Sequence, residues 1–129
     1  MTIELPWVQQ HPFDPGRTYV AMASQLPLRR HAAIPGFLAD TLRIRRQLAG
    51  TSGLVAYGLR AHLAGKTFWT FSIWDDQASL DAFAGSDPHR RITQRLKPRM
   101  VESHVELFPI TGSELPWSWE RITTALGVG

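Results

Sequence analysis

One run of seven residues limits the possible fold more than any other part of the chain. Phe68, Trp69, Thr70, Phe71, Ser72, Ile73 and Trp74 are all aromatic, β-branched or small. That composition suits a pleated strand enclosed within a sheet. Side chains alternate along a strand, so Trp69, Phe71 and Ile73 share one face while Phe68, Thr70, Ser72 and Trp74 share the other. Both faces therefore need cover. The period changes at Asp75 and Asp76, either of which can cap a helix, and Leu80, Phe83 and Ala84 recur at helical spacing until Gly85. Asp87 then stands as an N-cap and Pro88 as the first residue of a second helical segment, which runs to about Lys97 and is closed by Pro98. The apolar stripe of that segment is His89, Ile92 and Leu96, which turns the histidine inward.

The chain on either side supplies the partners of this strand. Thr18 to Leu26 predicts a strand ended by Pro27, and Arg29 to Pro35 a connector. Gly36 to Leu48 predicts an amphipathic helix with its arginines outward, stopped by Gly50. Gly53 to Leu63 alternates strictly and joins the aromatic strand through the tight link Ala64 to Lys66, a hairpin. Val101 to Phe108 alternates again and is ended by Pro109. The order is strand, helix, strand, strand, helix, strand. It predicts an α+β fold, a ferredoxin-like split βαβ sandwich with a four-stranded antiparallel sheet and helices on one face.

Residues 18–110 are expected to form this domain. Residues 1–17, broken by Pro6, Pro12, Pro15 and Gly16, are expected to be an arm held by Trp7 and Phe13 with no regular element. Residues 111–129 should add a loop and a short helix, from Pro116 or Trp117 to Leu126, packed on the same domain. The tetrapeptide ELPW occurs twice, at Glu4–Trp7 and Glu114–Trp117, by chance or as two similar anchoring arms. Because a two-layer domain leaves one sheet face bare, the apolar second face of the central strand predicts a twofold homodimer, sheet against sheet.

Composition narrows the chemistry. Cysteine is absent, which excludes disulfides and thiolate chemistry and agrees with a cytoplasmic setting. The proline-broken N-terminus does not read as a signal peptide, and no stretch is long enough to span a bilayer. Lys and Arg number 14 against 11 Asp and Glu. The arginine clusters at 29–30, 43–46 and 90–99 read as solvated faces of helices and loops in preference to a nucleic-acid surface. No phosphate loop, zincin, serine-hydrolase or EF-hand motif is present. The histidines at 11, 31, 62, 89 and 104 share no helical or strand spacing, so no metal site is predicted.

His89 is the candidate catalytic residue. One reading is a histidine packed on the sheet with its nitrogen satisfied by a backbone acceptor. The other is a proton donor or acceptor, or an axial ligand if haem is bound, facing an apolar cavity between helices and sheet. Tyr57, Trp69, Trp74, Phe83 and Ile92 are the residues expected to wall such a cavity; as aromatic or branched residues they serve equally as core.

The segment WDDQASLDAFAGSDPH, Trp74 through His89, resembles the dimeric α+β barrel superfamily that contains antibiotic biosynthesis monooxygenases and haem-degrading oxygenases. It matches that pattern at Trp74, Asp75, Leu80 and His89 and departs from it at Phe83, where the pattern has a histidine. The run from Pro35 to Trp74, with its PGF start and FWTFSIW strand, is similar to small uncharacterised bacterial members and to spheroidene monooxygenase-like proteins. The resemblance covers roughly residues 18–109. It implies a small monooxygenase-like protein acting on an apolar aromatic or polyene molecule, cofactor-free or haem-dependent, with His89 as acid, base or axial ligand. The alternative is a non-catalytic ligand-binding or accessory homodimer that uses the same cavity.

Overall fold

The computed structural model of the protein describes residues 2–5, 7–115 and 117–127. The aromatic run forms β5 (Thr67–Trp74), which lies inside an antiparallel sheet between β4 (Leu54–His62) and β3 (Thr18–Pro27). Beyond β3 lies β6 (His104–Thr111), the edge strand on that side. On the outer side of β4 sit two short strands of the N-terminal arm, β1 (Thr2–Glu4) and β2 (Val8–Gln9). Helix α1 (Ile34–Ala49) connects β3 to β4, and α2 (Gln77–Ala84) and α3 (His89–Leu96) connect β5 to β6. A last helix, α4 (Trp119–Ala125), follows the sheet. The fold is α+β, with the ferredoxin-like split βαβ order carried by β3 to β6 and their crossover helices.

Several boundaries differ from the sequence reading, each for a local reason. The N-terminal arm does contain regular structure, because the outer edge of β4 offers unpaired backbone groups that Thr2–Glu4 and Val8–Gln9 take up. Strand β6 does not stop at Pro109: that residue pairs opposite Val20 and the strand runs on to Thr111. An edge strand tolerates a proline whose missing N–H would face away from its one neighbour. Helix α1 begins at Ile34, with Pro35 inside its first turn, where proline costs no hydrogen bond. Asp76 caps α2, its carboxylate accepting from the Ser79 N–H at 2.8 Å; the Ser79 hydroxyl first and this backbone N–H second hold its pKa below the ordinary carboxylate value. Asp87 does not cap α3. Pro88 occupies that position, and the Asp87 carboxylate faces Arg90 and Arg91 at 3.5 Å each.

The register assigns every strand residue to a face. Met22, Ser24 and Leu26 of β3, Tyr57 and Leu59 of β4, and Val105 and Leu107 of β6 lie on the same side as Phe68, Thr70, Ser72 and Trp74. Helices α1 to α3 cover this side except at the edge strand β6, where Val105 and Leu107 stay exposed. Phe37, Ile92 and Leu96 pack on Phe68 and Leu28, while Leu48, Leu80 and Phe83 pack on Trp74 and Leu54.

The second face is covered by the two ends of the same chain. Trp7 and Phe13 from the N-terminal arm, and Leu115, Trp117, Trp119, Ile122 and Leu126 from the C-terminal segment, pack over Phe71, Ile73, Ala21, Ala23 and Ile110. Both copies of ELPW deliver their tryptophan to Phe71: Trp7 meets it edge-on at 5.7 Å and Trp117 stacks on it at 5.7 Å. Each copy also anchors its glutamate, Glu4 to Arg60 at 3.7 Å and Glu114 to Arg121 at 3.1 Å. Trp7 lies so close over β4 that a Cβ on Gly58 would fall 3.1 Å from its ring. The motif therefore works as a pair of anchoring arms.

This arrangement removes the bare apolar face on which the expected homodimer rested. Among the described residues, the large apolar side chains left exposed are Ile3, Leu38, Leu42, Val101, Val105 and Leu107. None of them lies on the face that the arms cover.

Candidate functional site

The helix-facing side of β5 reads Phe68, Thr70, Ser72, Trp74: large, small, small, large. The two large residues act as pillars. Phe68 meets Phe37 of α1 with ring centroids 4.2 Å apart, and Trp74 meets Phe83 of α2 at 5.3 Å. Between the pillars the small residues cannot reach the helices, and close packing is interrupted. The result is a cavity of about 390 Å³.

Its floor crosses four strands, from Tyr57 and Leu59 through Thr70 and Ser72 to Ser24, Met22 and Val105. At the usual strand spacing this is a slot roughly 14 Å across. The roof comes from Thr41, Ile44, Arg45 and Leu48 of α1, Phe83 of α2, and His89, Thr93 and Leu96 of α3. Three of the floor's hydroxyls are engaged with neighbouring side chains. Ser24 and Thr70 hydroxyls hydrogen-bond to each other, and the Trp74 indole N–H donates to Ser72 Oγ at 2.9 Å. The slot therefore presents an apolar surface with little unpaired polarity, the character of a small-molecule site.

His89 is the first residue of α3 and is half-buried at the cavity wall. Three contacts hold it. Its backbone N–H donates to Gln47 Oε1 at 2.9 Å, its Nδ1 lies 3.3 Å from the Ala84 carbonyl oxygen, and its ring packs on Phe83 at 4.6 Å. A carbonyl can only accept, so this contact selects the tautomer with the proton on Nδ1 and leaves the lone pair on Nε2. Burial lowers the His89 pKa below 6.5, against the smaller raising effect of the Ala84 carbonyl. The ring is thus neutral near pH 7 and equipped to accept a proton or a metal at Nε2.

Of the residues expected to wall the cavity, Tyr57, Trp74 and Phe83 do line it together with His89. Trp69 does not. It is on the opposite face of β5, where its indole N–H donates to Gln25 Oε1 at 2.9 Å and Arg60 lies over its ring. The alternation that places Trp74 on the helix side already forbids Trp69 from joining it. Ile92 is likewise outside, 2% exposed and packed among Leu28, Phe37, Phe68 and Leu96. Arg45 also lines the slot, against the expectation that the arginines of α1 face outward. It stands one helical turn after Thr41, and that (i, i+4) relation was the available signal.

Among the described residues no group of three or more His, Asp or Glu side chains comes together to hold a metal ion. The donor set does fit a haem: one neutral imidazole, apolar walls, and the cationic Arg45 and Lys97 among the lining residues to meet carboxylates.

No protein-family model matches the chain, and none of the curated proteins matches it. Solved structures do. An antibiotic biosynthesis monooxygenase superposes with a TM-score of 0.62 at 18% identity, over 69% of this chain and 95% of that one. LmHde, a heme-degrading enzyme from Listeria monocytogenes, gives 0.64 at 21% identity, over 82% and 68% of the two chains. SnoaB, a cofactor-independent oxygenase from Streptomyces nogalater, solved as a mutant, gives 0.54 at 16% identity, over 70% and 90%. The protein has the ferredoxin-like fold of antibiotic biosynthesis monooxygenase-like proteins. At these identities the likeness is one of fold.

Proposed function

We propose that the protein is a monooxygenase-like enzyme that binds an elongated apolar molecule, aromatic or polyene, in the slot between sheet and helices. His89 serves as the proton acceptor of that site, or as the axial ligand if the site takes haem. The observation that carries this reading is the slot itself: large pillars at Phe68 and Trp74 hold the helices off a floor of small residues, and one neutral histidine stands at its wall. The fold neighbours include both a cofactor-independent oxygenase and a heme-degrading enzyme, so the fold agrees with either version.

A non-catalytic binding protein is the second reading. It is favoured by the mutual satisfaction of Ser24, Thr70 and Ser72, which leaves little unpaired polarity to act on a bound molecule. Titration with haemin separates the versions. A saturable Soret shift lost in His89→Ala supports the haem version; with no shift, oxygen uptake with candidate aromatic or polyene substrates distinguishes a cofactor-free oxygenase from a binder. Absence of any saturable ligand, haemin or apolar, would overturn both readings. A homodimer through the sheet face has less in its favour than the sequence implied, because the arms already bury the apolar area that a partner would cover.

A further inference from the structure

A second pocket, of about 400 Å³, lies outside the slot and is lined by Arg29, Arg30 and Arg99 with Ala32, Ala33 and Pro98. Two of its three cations are set opposite one another by the backbone. Leu28 and Met100 form an antiparallel bridge, and the Arg29 N–H donates to the Arg99 carbonyl at 2.9 Å, so that Arg29 and Arg99 stand directly opposite one another. Like charges in that relation repel and weaken the pairing.

Elsewhere in the chain most such charge is neutralised. Seven of the twelve arginines pair with a carboxylate. Of the five without such a partner among the described residues, three line this one pocket. The start of α1, a helix of 16 residues with no acidic residue in its first turn, lies beside it, although the Ala33 and Ile34 N–H groups are already taken by the Arg30 and His31 carbonyls. The Arg99 guanidinium reaches that turn, with Nη1 4.0 Å from the point where a Cβ on Gly36 would stand. The pocket is thus lined by three arginines that lack a carboxylate partner among the described residues, with no acid among its lining residues.

We propose that this pocket binds the phosphate group of a small phosphorylated molecule, a phosphomonoester or a diphosphate, with Arg29, Arg30 and Arg99 as its ligands. Guanidinium forks match phosphate oxygens in pairs, and three of them fit a multiply charged group better than a single carboxylate. The volume leaves room for the body of a small molecule beyond its phosphate. The site is independent of the slot, so its fate does not depend on the oxygenase reading.

The test is calorimetric titration of the full chain with inorganic pyrophosphate at low ionic strength. Saturable binding is expected, accompanied by a rise in Tm, with affinity weakened about tenfold or more in Arg99→Gln and in Arg29→Gln. Arg46→Gln serves as the charge control, because Arg46 is exposed, has no carboxylate partner among the described residues and lies at the other end of α1; its affinity should equal that of the unaltered protein. All three side chains are exposed, and circular dichroism verifies that each variant is folded. No saturable binding, or an equal loss in Arg46→Gln, would overturn the proposal in favour of diffuse surface charge. Tighter, steeply salt-dependent binding of an oligonucleotide than of pyrophosphate would overturn it in favour of a nucleic-acid surface.

Discussion

Replacing Phe71 with alanine tests how the two halves of the molecule are joined. Phe71 is fully buried and is the residue on which both arms converge: Trp7 edge-on, Trp117 stacked, and Phe108 at 6.2 Å. Truncating a buried phenylalanine removes its transfer free energy and leaves a cavity, together about 4 kcal/mol. Because a domain of this size has a total stability of only about 5–15 kcal/mol, the variant should be visibly marginal. Urea unfolding followed by tryptophan fluorescence measures the loss, and a slope unchanged from the parent shows that the denatured state is the same. A double-mutant cycle with Trp117→Ala should return a coupling of about 1 kcal/mol, the usual extra value of an aromatic pair beyond its buried area. A loss under about 1 kcal/mol, or a coupling indistinguishable from zero, would mean that the arms do not pack on Phe71 and that the second face of the sheet is covered some other way.

Three further outcomes are expected. Asp40 is 3% exposed and its Oδ1 accepts from both Arg43 and Arg95, linking α1 to α3; Asp40→Ala should cost about 2 kcal/mol in urea unfolding, below the figure for a wholly buried pair because both arginines reach solvent. The folded-state pKa of His89 is lowered, so the unfolded chain takes up the proton first as pH falls. Its contribution to stability is full above about pH 6.5 and is lost as pH drops toward the folded value; the unfolding midpoint should fall on acidification in the unaltered protein and fall less in His89→Gln, and identical pH profiles would refute the assignment. With the arms covering the second face, no homodimer should form through that face at micromolar concentration, and a dimer in sedimentation that is lost on Trp117→Ala would show that the arms are only part of the cover.

Much of the architecture was legible because β5 declares itself. Its alternation demanded cover on both faces, and the hairpin, the helices and their order followed from periodicity and turn residues. What periodicity cannot report is which segment supplies the cover. Trp7 and Trp117 come from opposite ends of the chain, and nothing local to either shows that both end on Phe71; only the repeated ELPW hinted at a shared role. Pro109 misled in the opposite direction, since a proline stops an interior strand but is tolerated on an edge, and edge status depends on the whole sheet. In the slot, His89, Tyr57, Trp74 and Phe83 were readable from type and spacing. The hollow itself is also written in the sequence, as the small pair Thr70 and Ser72 between Phe68 and Trp74. Asp87 was a plausible cap by type, and its two neighbouring arginines took its carboxylate instead.

The most direct test of the central claim is a fluorescence titration with a neutral apolar probe, N-phenyl-1-naphthylamine, comparing the unaltered protein with Thr41→Trp. Thr41 is half-buried on the roof of the slot, and an indole in its place fills the space above Thr70 and Ser72. Saturable, single-site binding that is abolished in Thr41→Trp, while circular dichroism is unchanged, is the predicted result. Binding that survives the filled slot, or no saturable binding in the unaltered protein, would contradict the account.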